Sequence, residues 1–223
     1  MAEVTAEQLQ RGRGPDPSAL GRRKLVTREV KSVRERLTSS TGLERAFDNE
    51  LLRVFAQYRL AGSVGTLVLV VGIAAAACLW LPAHLVALWS GIVLLSLLVI
   101  VALARRYLTA SEETVRLKLW RRLFAMAEGF HGLSWSGLLL LFAPVDAPGA
   151  KVFVTTALLI VSALTVMLSA TIPMAVYAGL IPIIAGITAF FWERRDIDSV
   201  TMALMAAAAQ LFFIFLANRL YAS

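Results

Sequence analysis

The apolar residues of this chain fall into long blocks, separated by short charged or proline-bearing breaks. The first forty residues hold no such block. They are polar and charged, with "RGRGPDPS" near the start, and too poor in apolar surface to order a chain. This predicts a disordered basic arm over 1–40. From 41 to 59 the pattern turns helical. Leu43, Phe47, Leu51, Phe55 and Tyr58 recur on one side, with Leu52 beside them, while Glu44, Arg45, Asp48, Asn49 and Arg53 take the other. The expectation is an amphipathic helix, either lying on a membrane surface or packed on a soluble domain.

Apolar blocks follow that are long enough to cross about 30 Å of hydrocarbon. The pattern predicts spans at 60–81, 85–104 and 123–142, broken by "LPAH" and by "RRYLTASEETVRLKLWRR". Within that charged segment, Ser111 with Glu112 and Glu113 reads as a helix start. From Val152 to Trp192 there is no charge. As one helix this stretch would be about 60 Å long, twice the membrane, so it must break. "SATIP" is the place, because Pro173 disfavours helix at Ile172 and suits a helix's first turn. The resulting spans are 152–170 and 173–192, and a sixth follows at 199–217. The predicted fold is all-α: a polytopic membrane protein of six transmembrane helices over 60–218, preceded by the arm and the amphipathic helix.

Composition agrees. The chain is 58% hydrophobic, above the 45–50% of soluble domains. Its 22 Lys and Arg against 15 Asp and Glu are unevenly placed. With six spans, nineteen basic residues fall on the side of the termini and three, Lys151, Arg194 and Arg195, on the other. Positive residues stay inside, which predicts cytoplasmic termini and argues against a nucleic-acid groove. The lone Cys78 allows neither an internal disulfide nor a cysteine metal cluster. Before Ser40 there is no apolar stretch of the signal-peptide kind.

Polar residues inside the blocks are the candidate site. Glu128 and His131 lie three apart in the third span and share a face, with Glu128 about 7 Å from the span's charged end. Glu-x-x-His is one quarter of a carboxylate-bridged di-metal bundle. The other spans offer no acid, so a hydrogen-bonded packing pair or a proton- or ligand-sensing role fits better than a metal. Thr155, Ser162, Thr165 and Ser169 share an arc of ~80° on the fourth span, a surface for close helix approach. Ala175-x-x-x-Gly179 is a further small-residue pair, and Pro182 should kink the fifth span or hinge it. Trp80, Trp89, Trp192 and Tyr177 fall near span ends, as interfacial anchors do. No nucleotide, zinc or nucleophile motif is present, so neither a catalytic residue nor a cofactor is expected.

"REVKSVRERLTSSTGLERAFDNELLRVFAQYRLAGS", six spans, "SATIPMAVYAGLIP" and "FIFLANRLYAS" together resemble the N-terminal membrane module of PleC-like sensor histidine kinases of alphaproteobacteria. The resemblance implies an input module in the bacterial inner membrane, a homodimer in the full-length protein, and a cytoplasmic kinase core and response regulator as partners. "LANRLYAS" has no Gly or Pro to stop a helix, so residues 219–223 read as the start of a truncated signalling helix. The alternatives are the input module of a cyclic-dinucleotide enzyme, or a self-contained transporter or assembly factor. The lipid bilayer is the expected partner in every case.

Overall fold

The structure is a computed structural model that describes residues 40–110, 116–192 and 197–222. The expected arm, the Ser111 helix start and most of "ERRDID" lie outside the described residues. The chain divides into two units, Met1–Phe47 and Asp48–Ser223. The described part of the first is the opening of helix α1.

Six helices and no strand occur among the described residues: α1 Ser40–Ala77, α2 Ala83–Thr109, α3 Leu117–Phe142, α4 Pro148–Ser169, α5 Pro173–Trp192 and α6 Ile197–Ala222. Five of them, all except α3, contain stretches long and apolar enough to cross a membrane. Their outward faces carry large apolar side chains: Val64, Val68 and Val71 on α1, Leu88, Leu95 and Leu98 on α2, Leu204, Leu211 and Phe212 on α6. Water would not tolerate so continuous an apolar surface on a monomer, whereas hydrocarbon requires it. This is a multi-pass helical membrane protein.

The break near Pro173 falls where the chain chemistry demands. Helix α4 ends at Ser169 and α5 starts at Pro173, whose missing N–H costs nothing in a first turn. The N–H of Ile172 bonds back to the Ser169 carbonyl, 2.9 Å away, and closes the turn. Between 59 and 60, by contrast, there is no break. The segment expected to be a separate amphipathic helix and the first expected span are one helix, α1, which ends at Ala77 rather than Leu81. No residue near 59 stops a helix: the sequence there, "FAQYRLAGS", holds no proline, and its glycine lies a turn further on.

Helices consecutive in sequence run in opposite directions, so α1, α3 and α5 point one way. Asp48 meets Arg121, Phe55 meets Phe124 and Arg59 meets Glu128, which aligns α1 with α3. Helix α3 is the centre. Its buried positions, from Phe124 through Ala127, Trp135 and Leu138 to Phe142, occupy most of its circumference. With so much of its surface turned to protein, it is the one helix of the six without a stretch apolar enough to count as a span.

The α3–α5 contact is the most extensive, and its cause is glycine. A Cβ on Gly132 would overlap the Gly179 carbonyl oxygen and lie 2.9 Å from its carbon. Further along, a Cβ on Gly186 would come within 3.2 Å of Ser136 Cβ. Only bare backbones can come this close. Pro182 sits inside α5 and has no N–H for the carbonyl four residues back, that of Ala178. That carbonyl lies against Gly129, where a Cβ would be 3.5 Å away.

Candidate functional site

The largest side chains fully buried in the bundle include two of opposite charge, Arg59 and Glu128. Arg59 is 2% exposed and Glu128 1%. Arg59 Nη2 donates to Glu128 Oε2, and the same nitrogen donates to Ser169 Oγ at 2.9 Å. One guanidinium nitrogen thus ties α1 to α3 and to the end of α4. An aromatic layer closes the site on one side: Phe55 and Phe124 lie 4.9 Å apart, Tyr107 meets Phe124 edge-on, and Trp120 lies tilted against it. Tyr107 also donates to Asn49 Oδ1 at 2.5 Å, fixing α2 against α1.

The pair is incomplete. Arg59 Nε and Glu128 Oε1 are both buried with no hydrogen-bond partner among the described residues. The usual Arg–carboxylate contact is a two-pronged fork. Here only one prong is made, and the unused donor and acceptor belong to the same two side chains.

His131 lies one turn further along α3 and is 3% exposed. Trp135 Nε1 donates to its Nε2 at 3.1 Å, which makes Nε2 the acceptor. The network therefore assigns the ring proton to Nδ1, 2.7 Å from Ser96 Oγ on α2. Ser96 Oγ in turn donates to the Val93 carbonyl at 2.7 Å. Every polar atom in this chain of bonds is used, as a structural histidine requires. Glu128 and His131 share a face as the spacing predicts, but each serves a different partner helix. Among the described residues no group of three acidic, histidine or cysteine side chains is placed to hold a metal.

The hydroxyl arc on α4 is buried, and it divides its work among three neighbours. Ser169 accepts from Arg59 of α1. The methyl of Thr165 fills the space beside Gly179 of α5, 2.9 Å from where a Cβ would stand. Ser162 Oγ accepts from Gln210 Nε2 of α6 at 2.8 Å. Thr155 bonds its own helix, at the Lys151 carbonyl. Pro182 lines an apolar groove of about 530 Å³ between α3 and α5, together with Leu133, Leu140, Ala185 and Phe190.

Sequence reasoning missed Arg59 and Gln210. Arg59 stands at the edge of an apolar block and reads as one more basic residue before the membrane. A signal existed: it lies two helical turns after Leu52 and two before Thr66, both buried on the same face. Gln210 lies in the middle of the last block, where an amide has no lipid partner. Trp89, expected as an interfacial anchor, is inside the bundle: it is 4% exposed and donates to the Ser134 carbonyl at 3.0 Å.

Fold and site together define a multi-pass helical membrane protein built around α3, with a buried one-pronged ion pair. No family model, curated protein or solved structure matches the chain.

Proposed function

We propose that this chain is the membrane-embedded input module of a signalling protein, with α3 crossing the bilayer alongside the five more apolar helices. Six crossings leave both ends of the bundle chain on one face. The nineteen-to-three basic bias favours a cytoplasmic position for that face, and the resemblance to bacterial sensor kinases implies the inner membrane. The observation that carries the reading is the Arg59–Glu128–Ser169 centre. Ionisable groups inside a membrane bundle are costly and mark functional positions. This one joins three helices through a single nitrogen, so a small change at one helix is felt by two others.

The output runs through α6, held to α4 by Gln210 and to α5 by the bond from Tyr177 to Asn218, 2.7 Å long. By resemblance the receiver is a cytoplasmic histidine kinase core acting on a response regulator. The outer face of α6, with Leu204, Leu211 and Phe215 exposed, is where two copies would meet. A self-contained transporter is the weaker reading. Leu138, Leu158 and Ile183 fill the middle of the bundle completely, where a substrate path would have to run.

The test is a cell whose chromosomal copy carries Glu128→Gln. Phosphorylation of the cognate response regulator should change while the protein inserts at its normal level. Unchanged output at normal insertion would remove the ion pair from signalling.

A further inference from the structure

We propose that Glu128 and Arg59 form a proton-operated latch that sets the position of α1 against α3 and α4. The idea goes beyond the signalling reading, because it concerns a movement of this chain that can be measured without any output.

The geometry supplies two states. In the one seen, a single prong joins Arg59 Nη2 to Glu128 Oε2, and Ser169 takes the same nitrogen's second bond. Glu128 Oε1 is left without a partner among the described residues, and it is the oxygen available to a proton. When a proton binds there, Oε2 still accepts from Arg59, but the charge that holds the guanidinium inside is gone. Arg59 becomes a buried cation with no counter-charge, the arrangement an apolar interior tolerates least. Arg59 is always protonated, so it cannot relieve this by losing its own proton. It must move instead. The route lies along α1 toward Asp48 and Asn49, where the bundle meets polar surroundings, as long cationic side chains do near helix ends.

Among the described residues no other charged side chain is bonded to Glu128. From α1 only Arg59 faces Glu128. From α3 the other titratable side chain on the inner face is His131, one turn away and bonded to Ser96 and Trp135. From α4 come Ser169 and Thr165, and from α5 comes Gly179, none of which titrates. The bonds that would have to yield with α1 include those from Tyr107 to Asn49 and from Arg121 to Asp48, the latter 3.1 Å long.

The test uses the full chain in lipid nanodiscs, with Cys78 replaced by serine and nitroxide labels at positions 48 and 121. These half-exposed positions report the α1–α3 separation. Strong dipolar broadening is expected at about pH 8 and reversible loss of it by about pH 4, the range in which carboxyl groups titrate. The same loss should persist in His131→Gln. Glu128→Gln, which cannot ionise, should lack the broadening at both pH values. The double variant Arg59→Gln, Glu128→Gln replaces the pair with two neutral amides and should stay broadened throughout. This arm keeps the test decisive even if Glu128→Gln alone fails to fold. Broadening that does not change with pH in the parent chain, or a double variant that responds to pH as the parent does, would overturn the latch.

Discussion

Replacing Gly132 with alanine adds one methyl group at the point where α3 and α5 touch. The new carbon would overlap the Gly179 carbonyl oxygen and sit 2.9 Å and 3.1 Å from that residue's carbonyl carbon and Cα. All three atoms are backbone, so no side chain can turn aside, and the helices must separate. Overpacking of this kind costs about 1–3 kcal/mol, and rigid backbone neighbours put it at the upper end. Alanine also returns about 1 kcal/mol of helix propensity. The net expectation is a loss of roughly 2 kcal/mol. Gly65, Gly72 and Gly91 are the controls, because a Cβ at any of them meets nothing within 4 Å. Gly65→Ala should therefore be neutral or stabilising by up to about 1 kcal/mol. Reversible unfolding in mixed micelles, followed by the fluorescence of buried Trp89 and Trp135, measures both. If Gly132→Ala proves as stable as Gly65→Ala, the close crossing of α3 and α5 is wrong, and with it the placing of α3 at the centre.

Substitutions at Arg59 and at Gln210 separate the worth of a buried ion pair from that of a buried amide. Arg59→Ala strands the Glu128 carboxylate inside the bundle and should cost about 3–5 kcal/mol, much of it recovered when Glu128→Gln is added. The same unfolding assay reads both, and additive losses would contradict a direct pair. Gln210→Leu gives up the bond to Ser162 but also removes an oxygen, Oε1, that is buried without a partner among the described residues. The two effects nearly cancel, so stability should shift by no more than about 1 kcal/mol; a loss above about 2 kcal/mol would mean that Oε1 has a partner.

The helices were legible in the sequence because the membrane imposes a length on every apolar block, and because Pro173 must punctuate the one block that is too long. What stayed hidden was which face of each helix turns inward. In lipid both faces are apolar, so hydrophobic periodicity no longer marks the core, and small or polar residues mark it instead. Gly132 and Gly179 follow that rule, as do Ser162, Thr165 and Ser169. Arg59 escaped for a different reason. A cation at the edge of an apolar block is the ordinary mark of a membrane boundary, and only its partner on α3, far away in sequence, gives it another meaning. Phe47 and Tyr58, by contrast, share an apolar side with Phe55 by spacing but are exposed, while Leu52, Phe55 and Ala56 are buried.

Helix α3 carries the account's central claim, for it alone of the six has no stretch apolar enough to count as a span, and the proposed function has it cross the bilayer. Single cysteines at Ala110, before it, and at Ala147, after it, decide the matter directly when placed in a Cys78→Ser background and labelled in intact spheroplasts with a membrane-impermeant maleimide. Labelling at position 147 from outside, with position 110 reacting only after the membrane is opened, is the predicted result. Labelling of both positions from the same face would mean that α3 does not cross, and would contradict the six-helix bundle and the function proposed for it.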